Sequence, residues 1–357
     1  MIKTPFLPWG SLSLFISRLM AGRHLYAPTR REGELRFDLI ASPEEATLDY
    51  ANTRKAPKAL LFPQTECLFT HAANADRADL SPLVAPPLDT TPTAILGLRP
   101  CDARALALLD AVFLQGDYCD PYYRARRENT VILSLACAQP RATCFCHALG
   151  SGPYDRDGSD LLLRPSDQGY LLEAVSQRGA GLLAELGAEA GLIAPSAEAL
   201  ERAAAIEAGA LARLAEMPPV SGIEEALPGL FDDLALWREI SEKCLACGTC
   251  TYVCPGCHCF NILDRVEAGG GRRLRAWDAC MYPGFTVHAS GHNPRPDQAA
   301  RWRQRVMHKF SYLPENVGLF GCLGCGRCVL ACPVSLDIRE ALRLVRLASQ
   351  RAAVREE

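Results

Sequence analysis

Apolar residues recur at helical spacing from Leu12 to Met20, which predicts a short amphipathic helix. Further on come two uninterrupted apolar runs, Ala94-Ile95-Leu96-Gly97-Leu98 and Thr130-Val131-Ile132-Leu133-Ser134-Leu135-Ala136. Runs of this kind are expected of strands covered on both faces. The first ends at Arg99-Pro100-Cys101-Asp102, after which Ala103 to Phe113 predicts a helix with Asp102 as its N-cap. Ala59-Leu60-Leu61-Phe62-Pro63 reads as a short buried strand, and Cys67 after it as core filling. Leu161 to Arg164 and Tyr170 to Glu173, with Ser166-Asp167-Gln168-Gly169 between them, predict a hairpin. Two helices are expected at Gly179 to Leu186 and Ser196 to Met217, the second closed by Pro218-Pro219, and a third at Leu230 to Glu242.

The C-terminal third breaks this pattern with two cysteine runs. They read Cys244-Leu-Ala-Cys247-Gly-Thr-Cys250-Thr-Tyr-Val-Cys254-Pro255 and Cys322-Leu-Gly-Cys325-Gly-Arg-Cys328-Val-Leu-Ala-Cys332-Pro333. Each is C-x2-C-x2-C-x3-C-P, the bacterial ferredoxin spacing for a [4Fe-4S] cluster. Three cysteines at this spacing turn their sulfurs toward one cube, and Gly248 or Gly326 lets the backbone pass close to it. The fourth cysteine is expected on the following helix, ligating the other cube. One cluster therefore takes Cys244, Cys247, Cys250 and Cys332, and its neighbour Cys322, Cys325, Cys328 and Cys254. A pair of zinc sites is the alternative, but zinc usually takes two separate C-x2-C hooks. The expected fold is an α/β N-terminal domain, residues 1–220, followed by a mostly helical ferredoxin-like 4Fe-4S dicluster domain, residues 221–357. The boundary falls near Pro218 to Pro228.

In an open α/β sheet, ligands bind beyond the carboxyl ends of the strands. The two apolar strands deliver Cys101 and Cys137 to that edge, and Thr143-Cys144-Phe145-Cys146 lies in the loop after the second. These four thiols suggest a third [4Fe-4S] cluster on Cys101, Cys137, Cys144 and Cys146, against buried structural cysteines or a zinc ion. Cys119 reads as a bystander. Cys257, Cys259 and Cys280 are surplus to two cubes and read as neighbours that pack or hydrogen-bond around a cluster. His258 and His292 are left out of the metal ligands.

Composition adds limits. The 357 residues, 49% hydrophobic and 22% charged, suit a globular protein of two domains, and the net charge of −3 argues against nucleic acid as a partner. Seventeen cysteines in metal-ligand spacings point to a reducing cytoplasm rather than to disulfides. No apolar run approaches a membrane span, and Lys3, Pro5, Pro8 and Arg18 interrupt the apolar start, which is not expected to be a signal peptide. Arg272, Arg273, Arg275, Arg295, Arg301, Arg303, Arg305 and Lys309 make the stretch between the runs basic, so that cations favour the reduced form of an anionic cube, guide an acidic partner, or simply face solvent.

Several motifs together carry a resemblance: Arg99-Pro100-Cys101-Asp102, Thr143-Cys144-Phe145-Cys146, Cys254-Pro255-Gly256-Cys257-His258-Cys259-Phe260, Trp277-Asp278-Ala279-Cys280 and Gly324-Cys325-Gly326-Arg327-Cys328. From about Leu12 to Leu342 the chain resembles the family of iron-sulfur electron-transfer subunits found in anaerobic sulfite reductase, as its A component, and in sulfhydrogenase-type NiFe hydrogenases, as their beta component. The resemblance implies a non-catalytic subunit passing electrons between a flavin subunit that handles NAD(P)H and a separate catalytic subunit, sulfite reductase or NiFe hydrogenase. It also implies some role for Cys101, Cys137, Cys144, Cys146, Cys257, Cys259 and Cys280. Neither a Gly-rich dinucleotide fingerprint nor a P-loop is found, which places nucleotide chemistry elsewhere. Two other functions are open at this point: a redox enzyme acting on a disulfide or sulfur species at the third site, and a redox-sensing regulator.

Overall fold

A computed structural model describes residues 4–72, 83–214, 216–217, 220–267 and 269–356. The chain opens with β1 (Phe6–Pro8), α1 (Leu12–Met20), β2 (His24–Arg31), β3 (Glu34–Leu39), β4 (Thr65–Ala72) and β5 (Thr93–Leu98). It continues through α2 (Pro100–Leu114), α3 (Pro121–Glu128), β6 (Thr130–Leu135), the hairpin β7 (Leu161–Ser166) and β8 (Gly169–Ala174), α4 (Gln177–Leu186) and α5 (Ala197–Ala212). Seven strands form one sheet in the order β1-β8-β7-β6-β5-β2-β3. Its middle, β2, β5, β6 and β7, is parallel and its flanks are antiparallel. Central β5 and β6 are buried along almost their whole length, as their unbroken apolar runs require.

The C-terminal part contains α6 (Ile223–Gly229), α7 (Leu234–Ser241), α8 (Thr249–Tyr252), β9 (Phe260–Glu267), β10 (Gly270–Trp277), α9 (Gln298–Met307), α10 (Leu313–Val317), α11 (Arg327–Leu330) and α12 (Ile338–Glu356). A π-helical turn, His308–Tyr312, joins α9 to α10. Trp237, Val306, Phe310, Met307 and Val345 form the core of this part, and Phe145 and Leu149 from the N-terminal part are packed into it. The second sheet is also shared: β4 pairs antiparallel with β10, which pairs in turn with β9, in the order β4-β10-β9.

Several local expectations change. Residues 59–63 are not a strand. A 3-10 turn over Pro57–Leu60 carries the chain instead, and Leu61 and Phe62 drop into the core behind Pro57, whose fixed φ suits a turn. The helix after β5 begins at Pro100 with Arg99 as N-cap, so Asp102 sits in the first turn, where a carboxylate still favours the helix N-terminus. The helix expected from Ser196 to Met217 has Ser196 as its cap and stops at Ala212, while Pro218 and Pro219 lie outside the described residues. In each cysteine run the third cysteine, Cys250 or Cys328, lies on a helix of one turn, and the fourth, Cys254 or Cys332, lies just past its end.

Candidate iron-sulfur centres

Both runs fold the same way locally. Gly248 and Gly326 cap α8 and α11 at φ of 71° and 70°, a conformation that L side chains adopt only with strain.

The first run and the end of the second meet at one cavity. Cys244, Cys247, Cys250 and Cys332 line it, and Cys328 stands in its wall. Hydrogen-bond donors are aimed at the sulfurs: Gln298 Nε2 is 2.9 Å from Cys244 Sγ, and the Leu336 backbone N–H is 3.3 Å from Cys332 Sγ. The Thr249 hydroxyl, 3.4 Å from Cys247 Sγ, and the Thr249 backbone hold that exposed thiol below its ordinary value.

Cys254, Cys322, Cys325 and Cys328 form the next group. Burial pushes the Cys328 thiol up to about 12; Arg305 opposes the rise, and Cys322, Cys325 and Cys250 add to it. The Cys322 thiol is likewise raised by burial, with Cys325 beside it, and Cys254 lies within electrostatic reach of Cys325. Thiols this buried do not ionise by themselves, so thiolate ligation here needs the charge of a bound metal group.

The third group collects at the carboxyl edge of the first sheet. Cys101, Cys137, Cys144 and Cys146 line one cavity, and Cys325 of the middle group stands in its wall. Parallel pairing of β5 with β6 brings the segments that carry Cys101 and Cys137 to the same edge, and Arg99 ties the two strand ends by donating to the carbonyls of Leu135 at 3.3 Å and Ala136 at 2.8 Å. The Cys144 loop is seated against the second run: Phe145 N–H donates to Gly324 O at 2.8 Å, and a Cβ on Gly324 would come within 2.5 Å of Cys146 Cα. Burial raises all four thiols, Cys144 to about 11 and Cys146 to about 12. Among the described residues no three His, Cys, Asp or Glu side chains crowd closely enough to hold a single metal ion. The first and third groups instead surround gaps.

Three buried cations stand among the cysteines: Arg305 and Lys309 belong to the basic stretch noted in the sequence, and Lys58 carries no mark there. Lys58 is 4% exposed; its ammonium donates to Cys257 O and lies 4.2 Å from the centroid of the Trp277 ring. Arg305 donates to Cys250 O at 3.3 Å and reaches Cys257 Sγ at 3.9 Å, while Lys309 Nζ lies 2.6 Å from Gly321 O and 3.5 Å from Cys254 Sγ. Neither Lys58, Arg305 nor Lys309 has a carboxylate ion pair among the described residues. Burying such charges without an anion is costly, and the donor set therefore suits an anionic group such as a [4Fe-4S] cube on four thiolates.

The surplus cysteines stand around the same charges. A hydrogen bond from Cys254, aided by Lys309, Arg305 and Lys58, holds the Cys257 thiol well below its ordinary value against the effect of burial. A hydrogen bond from Cys259 brings Cys280 down to about 6, and Thr251 Oγ1 lies 3.9 Å from its sulfur. His258 is turned to Gly256 O at 3.2 Å, and the exposed His292 stacks edge-on to His288.

A family model for the 4Fe-4S dicluster domain matches residues 243–336, the span holding both cysteine runs. Such a domain carries two [4Fe-4S] clusters. Across the whole chain, sulfhydrogenase 2 subunit beta of Pyrococcus furiosus is 31% identical over 333 residues, covering 93% of this chain and 95% of that protein. Similarity spanning both the N-terminal sheet region and the paired cysteine runs extends well beyond a shared ferredoxin motif, and the chain belongs to the sulfhydrogenase beta subunit family of 4Fe-4S dicluster proteins.

Proposed function

We propose that this chain is a non-catalytic electron-transfer subunit of a cytoplasmic oxidoreductase complex. It relays electrons between a flavin subunit that handles NAD(P)H and a catalytic redox subunit, either NiFe hydrogenase or sulfite reductase. Bound [4Fe-4S] clusters supply one-electron carriers at the cysteine sites. Cys244, Cys247, Cys250 and Cys332 hold one, Cys254, Cys322, Cys325 and Cys328 the next, and Cys101, Cys137, Cys144 and Cys146 a third.

One observation supports a relay above the other readings: the three sites share walls. Cys328, assigned to the middle site, lines the first cavity, and Cys325, also of the middle site, lines the third. A cysteine of the middle group thus stands in the wall of each neighbouring cavity, the proximity that a chain of carriers needs. At the first site Leu245, 64% exposed, and the exposed Cys247 bring the cavity to the surface, which is where a partner docks. The α/β part, residues 1–220, contributes the third site and a second docking face. No described helix is long and apolar enough to cross a membrane.

Iron counting on the anaerobically purified chain tests this reading. About twelve irons per chain are expected, and replacing Cys101 or Cys144 by Ser lowers the count to about eight. About eight in the unmodified chain removes the third site, and colourless protein holding zinc overturns the relay.

A further inference from the structure

α9 and the π-helical turn after it aim side chains at the cysteine sites in sequence. Gln298 meets Cys244 at one end, Arg305 lies between Cys250 and Cys257, and Lys309 meets Cys254. Arg301, Arg305 and Lys309 are spaced four apart and are all buried, so one helix face carries a row of cations inward. Arg301 is absorbed by Gln298 and by the carbonyls of Arg295 and Pro296. Among the described residues Arg305 and Lys309 meet only sulfurs and carbonyls. Lys58 approaches the same segment from the other part of the chain and ends on Cys257 O.

Charge is distributed differently at the third site. There Arg327 is neutralised by Asp102, with Nη1 2.7 Å from Oδ1, which leaves the buried Arg99 and the exposed Arg141 as the cations without a carboxylate partner in that cavity wall among the described residues. The first site has Gln298 and backbone donors on its sulfurs, and shares Arg305 with the middle site. Buried cations without a carboxylate partner are therefore densest beside Cys254 and Cys257 among the described residues.

We propose that Lys309, Arg305 and Lys58 are potential-setting residues that make the site of Cys254, Cys322, Cys325 and Cys328 the most easily reduced station of the relay, an electron well between the other two. The physical reason is that a buried cation close to a thiolate-bound cube stabilises the state carrying the extra electron, and weakly screened surroundings preserve the effect. This inference rests on the relay reading.

The test is an EPR-monitored redox titration of the full chain, unmodified and as Lys309→Met, Lys309→Arg and Lys58→Met. In the unmodified chain one cluster signal is reduced ahead of the others. With Lys309→Met that signal becomes at least tenfold harder to reduce at a given poise, about 59 mV for one electron, while the others move less than half as far. Lys309→Arg restores it. Lys58→Met shifts the same signal in the same direction, and it alone decides if Lys309→Met does not retain iron. Unmoved signals, or equal movement of all of them, overturn the proposal and leave the relay intact. An unmodified chain with no reducible iron-sulfur signal overturns the relay itself.

Discussion

Arg327 grips Asp102 with two parallel hydrogen bonds, Nη1 to Oδ1 at 2.7 Å and Nη2 to Oδ2 at 2.8 Å, in a pocket where both side chains are almost wholly buried. Arg327 directly precedes Cys328, and Asp102 directly follows Cys101, so the pair bolts the middle site to the third. The same guanidinium donates to Thr53 O at 2.9 Å. Arg327→Met leaves a carboxylate buried without its cation and is expected to destabilise the chain by about 3–5 kcal/mol. Adding Asp102→Asn should recover part of that loss. Anaerobic guanidinium denaturation of the single and double variants measures both, and a single-variant loss below about 1 kcal/mol would show that the pair is dispensable.

The proposed crossing of the two runs makes a separate prediction. Cys332→Ser should remove the cluster of Cys244, Cys247 and Cys250 and spare the one built on its own run, whereas Cys254→Ser should do the reverse. EPR of the reduced variants distinguishes the cases. If each serine abolished the signal of its own run, the runs would be uncrossed.

Gly324 passes so close to the Cys144 loop that an added methyl has no room: backbone atoms of Phe145 and Cys146 would lie within 2.6 Å of its Cβ. Gly324 also has φ of 63°. Gly318 offers an internal control, with φ of 70° and nothing within 4 Å of the place a Cβ would take. Gly318→Ala should lose about 1 kcal/mol from backbone strain alone, and Gly324→Ala about 2–4 kcal/mol, because overpacking against rigid backbone adds to the strain. Equal losses in thermal denaturation would mean that the loop gives way freely.

Burial, with His258 and Lys309 nearby, brings His308 down to about 4, below its ordinary 6.5. A folded-state value below the unfolded one means that the unfolded chain binds the extra proton more readily. Stability from this residue is therefore complete above about pH 6.5 and is lost as the pH falls toward 4, by at most about 3 kcal/mol. His308→Gln should flatten the denaturation profile in that window relative to the unmodified chain. Parallel profiles for the two proteins would rule the residue out as a contributor.

What could be read from the sequence follows from the range of each signal. The cysteine runs are local, so spacing alone brought out their common geometry, and unbroken apolar runs located β5 and β6 because burial on both faces leaves a mark on every residue. Ala59 to Pro63 misled because a buried turn and a short buried strand share an apolar composition. β9 and β10 went unmarked because the stretch is rich in charge: Arg272 and Arg273 pair with Glu267 and Asp264 across the hairpin, and β9 is exposed along its length. Lys58 gave no signal at all. Its meaning depends on Cys257, nearly two hundred residues later, and only the folded chain brings them together.

The pairing of β4 with β10 has a further consequence. A fragment beginning after α5 would carry every cysteine of the ferredoxin-type pair but would lack the strand that covers the flank of β10, as well as Lys58 and Asp102. Such a piece would expose raw backbone along that flank and leave the Arg327 guanidinium without its carboxylate. The cysteine-rich third is thus no detachable cassette, and attempts to graft it onto another carrier must bring the preceding sheet along.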